Sequence, residues 1–166
     1  FESFSWAGDH PLALPVEQCV LYKTHVRGFT MDPSSGVRHP GTFAGIREKI
    51  PYLKKLGITQ LLLMPVYEFA EIREEHAAKK HMPVRKGMGE RINYWGYGPG
   101  YFFAPKNSYS AISDGVRSLK NMVKACHASE IEVVLEMPFC PETPIYQVLD
   151  CLRYYRQEYH SFRWII

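Results

Sequence analysis

The sequence lacks most of the features that assign a protein to a class at first reading. None of its apolar runs is long enough to span a membrane, so we expect no membrane association. The net charge of +3 is small and the basic residues are scattered, which argues against nucleic acid as a partner. With 166 residues, 46% of them hydrophobic and 22% charged, the chain has the composition of one globular domain.

Cysteine is also scarce, and its arrangement argues against two kinds of stabilising site. No two cysteines form a Cys-x-x-Cys pair, and three of the four lie in or beside apolar segments. Reduced, buried thiols fit this pattern better than a disulfide framework or a zinc centre. We therefore expect a cytoplasmic protein without a metal site or a cofactor. The four are Cys19, Cys126, Cys140 and Cys151.

Short apolar runs alternate along the chain with longer segments of helical periodicity. Strands are predicted at residues 18–22, 59–66, 131–137 and 162–166, the first two of them buried. Helices fill the intervals, and this order indicates an α/β fold with a parallel sheet and right-handed crossovers. Periodicity alone leaves two architectures open: an open doubly wound sheet, or part of an eight-stranded barrel.

Local signals place the ends of the helices. The first helix should be split by Pro51 and should end at Gly57, a residue suited to a left-handed C-terminal position. The third should begin at a threonine followed by proline at the first helical position. The capping candidates for the three helices are Thr42, then Ser113 or Asp114, then Thr143.

The most distinctive stretch is aromatic and lies at residues 93–105, with the sequence NYWGYGPGYFFAP. Its six aromatic residues are separated by glycine and proline, which punctuate regular structure, so we predict a shaped loop rather than a strand or helix. Aromatic faces on a loop suit flat, weakly polar rings such as sugars. A loop whose aromatic side chains fill a core is the alternative.

The aromatic stretch belongs to a longer connection, residues 67–112. Connections of this length are usually functional or disordered. It also holds the densest basic patch of the chain, which we interpret as a solvated loop rather than a binding site. The patch comprises Lys79, Lys80, His81, Arg85 and Lys86.

Four segments occur in an order that has a known counterpart. They are residues 20–30 (VLYKTHVRGFT), 40–59 (PGTFAGI and KIPYLKKLGIT, two residues apart), 63–69 (LMPVYEF) and 93–105. Together they resemble the α-amylase superfamily, glycoside hydrolase family 13, and within it the isoamylase, pullulanase and glycogen-debranching branch. The resemblance covers essentially the whole chain.

The resemblance implies a partial (β/α)8 barrel, roughly strands one to four. Residues 18–166 would form this N-terminal half of the barrel, with 67–112 as the long second βα loop. Residues 1–17 would be a linker from a preceding domain, since FSWAGD at 4–9 resembles the linker that follows an N-terminal β-sandwich. The active site of such a barrel lies at the carboxyl ends of the strands.

The resemblance also implies a ligand and residues to bind it. The ligand would be an α-glucan, such as glycogen, starch or a maltooligosaccharide, and Tyr97 would be the ring that stacks on the sugar at the cleavage subsite. A tyrosine that merely packs the loop is the alternative. The further substrate-binding candidates are Asn93, Tyr94, Trp95 and Arg163.

The catalytic motifs of the family are altered in this chain. After the third strand, Cys140 and Pro141 stand where the family has asparagine and a sugar-binding histidine, and proline has no side-chain donor or acceptor. Ile165 stands where the family has its aspartate nucleophile. We therefore assign no catalytic residue, and we interpret Glu68 and Glu136 as structural carboxylates.

Two hypotheses of different class follow. In the first, the chain is a fragment of the catalytic domain of an α-glucan hydrolase, inactive as given, and the natural protein is longer. In the second, it is a degenerate relative that binds carbohydrate or serves a structural role. In either case the first and fourth strands would leave unpaired barrel edges, so we expect self-association unless further chain covers them.

Overall fold

A parallel sheet forms the centre of the protein in a computed structural model, which describes residues 3–71, 92–161 and 163–166. Its strands follow the order of the chain without reversal. A doubly wound sheet would reverse its strand order at a switch point, so this order favours part of a barrel. The strands are β1 (Leu21–Thr24), β2 (Gln60–Leu63), β5 (Glu132–Glu136) and β6 (Arg163–Ile165).

Helices connect the strands and cover one face of the sheet. The split at Pro51 and the end at Gly57, whose φ is +84°, are confirmed. The caps are confirmed for Thr42 and Asp114, whose side chains accept from Gly45 N and Arg117 N. The helices are α1 (Val26–Thr30), α2 (Phe43–Glu48), α3 (Ile50–Leu56), α4 (Gly115–His127) and α5 (Ile145–Tyr159).

The start of α5 differs from the prediction. Thr143 does not cap this helix; Pro144 occupies the cap position and no side chain caps it. Pro144 has an extended, polyproline-like backbone, with φ −58° and ψ 138°, rather than a helical one. The helix therefore begins one residue later than the sequence pattern indicates.

The two faces of the sheet have different partners. Leu61, Leu63, Val133 and Leu135 point toward the helices and belong to the main hydrophobic core. The alternate positions point to the opposite face, where the register aligns one row across all four strands. That row consists of Lys23, Leu62, Val134 and Arg163, and Glu136 pairs with Ile165 two residues further along.

The aromatic stretch is not a loop throughout. Residues Gly100–Pro105 form strand β4, which pairs antiparallel with β3 (Tyr67–Phe69). Phe102 is 6% exposed whereas its neighbour Tyr101 is 77% exposed, which is the alternation of a strand. A Cβ on Gly100 would lie 2.6 Å from the Glu68 carbonyl, so glycine here allows the close strand pairing. The loop prediction is therefore wrong for the second half of the stretch.

The first strand also differs from its prediction. Residues Val16–Gln18 form a short 3-10 helix, and β1 starts only at Leu21, which is 46% exposed. An edge position explains this exposure, since within the described ranges β1 pairs only with β2. His25 ends the strand by capping α1, because its Nδ1 accepts from Gly28 N at 3.1 Å.

The segment before β1 packs against the amino-terminal side of the sheet. Asp9 is almost fully buried and accepts from His127 Nδ1 at 3.0 Å and from His160 Nδ1 at 2.6 Å. The ring of Trp6 stacks on His160, with centroids 4.1 Å apart. The linker role of residues 1–17 stays a prediction.

Some predictions lie outside the described residues, namely the basic patch at 79–86 and the position of Phe162 in the fourth strand. Where the chain is described, no helix has both the length and the apolar character that a membrane crossing needs.

Candidate functional site

Three polar side chains meet where the parallel strands end. The phenol of Tyr97 donates to Glu136 Oε1 at 3.1 Å, and the ammonium of Lys23 donates to the same oxygen at 2.9 Å. Lys23 comes from β1 and Glu136 from the last position of β5. Tyr97 comes from residues 93–99, the part of the aromatic stretch that precedes β4, which we call the aromatic loop. We call these three residues the Tyr97 cluster. It lies at the end of the sheet where parallel α/β folds bind their ligands.

The cluster leaves one large aromatic surface accessible. Tyr97 is 37% exposed, so part of its ring can meet a ligand while its hydroxyl remains bound to Glu136. Burial and the hydrogen bond to Glu136 raise the pKa of Tyr97, which keeps the phenol protonated as a donor. The carboxylate raises the pKa of Lys23, so the amine stays charged.

Hydrogen bonds from nearby side chains fix the backbone around Tyr97. Asn93 donates to the Tyr97 carbonyl at 3.0 Å and accepts from Gly96 N at 3.2 Å. The Tyr67 hydroxyl lies 3.0 Å from the carbonyls of both Gly96 and Gly98. A side chain on Gly96, whose φ is +80°, would meet the Phe69 ring at 2.5 Å. Asn93, a predicted sugar contact, thus shapes the loop.

His25 lies beneath the first half of the aromatic loop. Its ring stacks on Tyr94, with centroids 4.5 Å apart, and meets Trp95 and Tyr109 edge-on. Because Nδ1 accepts from Gly28 N, the proton belongs on Nε2, which donates to the Tyr94 carbonyl at 2.8 Å. Burial lowers the pKa of His25 and favours this neutral form.

Tyr94 and Trp95 therefore differ in what they can offer a ligand. Tyr94 is half-buried against His25, so its ring supports the loop. Trp95 is 54% exposed and follows it directly, with the two rings 5.2 Å apart and perpendicular. Among the predicted contacts, Trp95 and Tyr97 are the two whose rings face solvent.

A buried cation anchors the hairpin next to the loop. Lys106 is 2% exposed, and its ammonium donates to Glu68 Oε1 and to the Phe69 carbonyl, each at 3.0 Å. Glu71 approaches the same ammonium at 3.3 Å and also binds Arg27 at 2.8 Å. Arg27, and then Lys106, lower the pKa of Glu71. Glu68 is hydrogen-bonded, as predicted, and its structural role stays a prediction.

Arg163 lies apart from the aromatic loop. Its guanidinium binds Glu132 at 3.3 Å, donates to Cys19 Sγ at 3.4 Å and also reaches the Leu14 carbonyl. Glu132 begins β5 whereas Glu136 ends it, and Cys19 and Leu14 precede β1. The side chain therefore points toward the amino ends of the strands, and the structure does not bring it together with Tyr97.

Ile165, the residue predicted to stand at the nucleophile position, carries no reactive group. Ile165 pairs in register with Glu136, and its carbonyl accepts from Met137 N at 2.8 Å. All four cysteines are free thiols, and Cys140 is half-buried. In the part of the chain that the structure describes, no three metal-ligating side chains lie close enough to hold an ion.

Two residues that shape the candidate site escaped the sequence patterns. Lys23 lies inside the strand motif, level with Val134 and two residues before the level of Glu136, and only this nearby glutamate of β5 distinguishes it. Opposite charges near the carboxyl ends of the parallel strands were the available signal. Lys106 lies between Pro105 and Asn107 in an irregular segment, where no periodicity marks it as buried.

Comparison with known proteins identifies the source of these motifs. No family model matches the chain. Isoamylase 1, chloroplastic, of Oryza sativa subsp. japonica is 36% identical over 145 residues, covering 84% of this chain and 17% of that protein. The glycogen debranching enzyme of Dickeya chrysanthemi is 38% identical over 147 residues, covering 83% of this chain and 20% of that protein. The chain thus spans about a fifth of the length of these relatives.

Solved structures show the same fold. The pullulanase type I from Bacillus subtilis complexed with maltose has a TM-score of 0.74 at 22% identity, covering 98% of this chain and 29% of that one. A pullulanase from Paenibacillus barengoltzii in complex with maltohexaose and α-cyclodextrin has a TM-score of 0.71 at 20% identity, covering 94% of this chain and 31% of that one. The prediction of a partial (β/α)8 barrel is confirmed. The chain belongs to glycoside hydrolase family 13, in the isoamylase, pullulanase and glycogen-debranching branch, and it matches the N-terminal part of the barrel.

Proposed function

We propose that this chain supplies the aromatic part of an α-glucan-binding surface centred on Tyr97, and that by itself it cleaves no glycosidic bond. The observation that carries the proposal is the exposed Tyr97 ring, held by Glu136 at the carboxyl ends of the strands. The names of the relatives add support, since they include glycogen debranching enzymes, and similar structures contain maltooligosaccharides.

The physical basis for sugar binding is an aromatic face beside hydrogen-bonding groups. The C–H face of a glucose ring packs on an aromatic ring, while its hydroxyls need donors and acceptors nearby. Tyr97 and Trp95 offer two exposed rings on one short loop. Lys23, which is partly exposed, offers a donor next to Tyr97.

The proposal excludes cleavage because the carboxylates present are unsuited to it. Retaining glycosidases need a nucleophile and an acid/base about 5 Å apart. Ile165 cannot act as a nucleophile, and Glu136 is bound by two donors. The pKa of Glu71 is lowered by Arg27, whereas a general acid needs a raised one.

Binding is tested by titrating the chain with maltohexaose while recording tryptophan fluorescence, with Trp95 as the reporter. We expect a saturable change at millimolar sugar, and a loss of affinity of at least about tenfold in Tyr97→Ala, because the stacking ring is removed. Tyr101→Ala is the matched control, since Tyr101 is an exposed tyrosine of the same segment. Equal responses from wild type and Tyr97→Ala would refute the proposal.

A hydrolase is the second candidate, favoured by the family to which the chain belongs. In that case carboxylates from additional chain would complete the site around Tyr97. A reducing-sugar assay with glycogen and with maltohexaose distinguishes the two. Release of reducing ends by these 166 residues alone would establish catalysis, and we expect none.

Self-association is a separate proposal that concerns the sheet edges. Within the described residues, β1 and β6 each pair on one side only, which leaves backbone donors and acceptors open to a second copy. Size-exclusion chromatography with light scattering is expected to show dimers or larger species, reduced by Leu21→Lys at the exposed edge. A stable monomer at high protein concentration would contradict this expectation.

A further inference from the structure

We propose that Lys23 and Glu136 are positioning residues, an ion pair on two strands that sets the orientation of the Tyr97 ring for sugar binding. The inference rests on the proposed function, because it assigns the pair a role only through Tyr97. It goes beyond that function by connecting the stacking ring to β1 and β5 through specific atoms.

The geometry converges on a single oxygen. Lys23 Nζ and the Tyr97 hydroxyl both donate to Glu136 Oε1, at 2.9 and 3.1 Å. The other oxygen, Oε2, is buried and has no hydrogen-bond partner in the described part of the chain. Both hydrogen bonds of this carboxylate therefore end on Oε1, the oxygen that binds the Tyr97 hydroxyl.

Lys23 and Glu136 are held in regular secondary structure, whereas the loop that carries Tyr97 is irregular. Lys23 and Glu136 belong to paired strands of the sheet, while Tyr97 lies between Gly96 and Gly98, which both have positive φ angles. Asn93 holds the backbone of this turn through its hydrogen bonds to the Tyr97 carbonyl and the Gly96 amide. The hydrogen bond from the Tyr97 hydroxyl to Glu136 is the contact that connects the ring to the sheet.

The expected gain is preorganisation rather than stability. Lys23 is partly exposed, and an exposed ion pair contributes little to folding. A hydrogen bond from a phenol to a charged carboxylate is stronger than a neutral one and fixes the plane of the ring. A ring that is already oriented loses less entropy when a sugar binds.

Glu136 and Lys23 shift the pKa of Tyr97 in opposite directions, because one is an anion and the other a cation. This difference gives a test that does not require sugar. Glu136 raises the pKa of Tyr97 and Lys23 lowers it. We therefore expect Glu136→Gln to lower the pKa of Tyr97 and Lys23→Met to raise it. Ring 13C NMR of labelled tyrosine, assigned with Tyr97→Phe, follows this titration, and circular dichroism identifies the pH range in which each variant stays folded.

The second readout is maltohexaose affinity. Glu136→Gln and Tyr97→Phe should each weaken binding by about three- to tenfold, the range of one hydrogen bond. The double variant should be no weaker than Tyr97→Phe, because both substitutions act on the same hydrogen bond: glutamine removes the charge of its acceptor and phenylalanine removes its donor. Lys54→Met is the matched control, since Lys54 forms a comparable ion pair with Glu130 at 3.2 Å on another part of the surface.

The outcomes separate the inference from the function on which it rests. Opposite pKa shifts together with non-additive losses of affinity support the inference. If wild type binds maltohexaose and Tyr97→Ala does not, yet Glu136→Gln and Lys23→Met bind as wild type does, the inference is overturned and the function stands. A Tyr97 pKa unaffected by either variant also overturns it. Failure of wild type to bind removes both.

Discussion

Replacing both Glu68 and Glu71 by glutamine is expected to lower the free energy of unfolding by about 3 kcal/mol, because it leaves a buried cation without a counter-charge. Lys106 is 2% exposed, and these two carboxylates lie 3.0 and 3.3 Å from its ammonium. Urea unfolding followed by circular dichroism measures the loss. Lys106 also connects the two strands of the β3–β4 hairpin next to the aromatic loop. The same variant should therefore weaken maltohexaose binding as well.

Two comparison variants make this result specific to the buried charge. Lys106→Met removes the cation itself, so it should cost less than the double glutamine variant even though it deletes more hydrogen bonds. Glu142→Gln changes an exposed carboxylate and should leave unfolding unaltered. If the double glutamine variant were as stable as wild type, Lys106 would not depend on its two carboxylates for charge compensation.

Replacing His25 by alanine is the second large change, with an expected loss of about 3 kcal/mol. The ring is 6% exposed and fills the space between Tyr94, Trp95 and Tyr109, so its removal leaves a cavity. The helix cap to Gly28 N is lost as well, which contributes about 1 kcal/mol of that total. The exposed His39 provides the control, and His39→Ala should unfold like wild type.

The contribution of His25 should also depend on pH in one direction. Burial lowers its pKa in the folded state below the ordinary value of 6.5, and nearby Arg27 lowers it further, while the hydrogen bond to the Tyr94 carbonyl and the charge of Glu71 oppose this shift. The unfolded chain then binds the proton more readily, so the stabilisation is complete above about pH 6.5 and is lost as the pH falls below that value. The stability difference between wild type and His25→Ala should therefore shrink in acid. A difference that grew as the pH fell would contradict the neutral assignment.

The sequence was sufficient to predict features that depend on interactions between residues close in the chain, such as the ends of helices. Thr42 and Asp114 cap helices because their side chains reach backbone donors three residues away. Gly57 ends a helix because it adopts a positive φ. The strand and helix order was sufficient for a parallel α/β sheet, but the barrel depended on the resemblance, since periodicity does not encode strand order.

The missed features all depend on contacts between distant segments. The strand Gly100–Pro105 forms because it pairs with β3, which lies thirty residues earlier in the chain. Its glycine and proline content masked the alternation of Phe102 with its neighbours. Lys106 is buried because carboxylates from the facing strand and its loop surround it. Arg163 was assigned by motif, and only the structure shows its side chain turned toward Glu132.

Proton NMR of maltohexaose mixed with the chain tests the central claim most directly, because one sample reports both binding and cleavage. We predict saturation transfer from aromatic protein protons to the sugar, its loss in Tyr97→Ala but not in Tyr101→Ala, and constant anomeric signals over days. Equal saturation transfer in Tyr97→Ala, or growth of reducing-end anomeric signals that persists in that variant, would contradict the account of Tyr97 as the centre of a binding surface without catalysis.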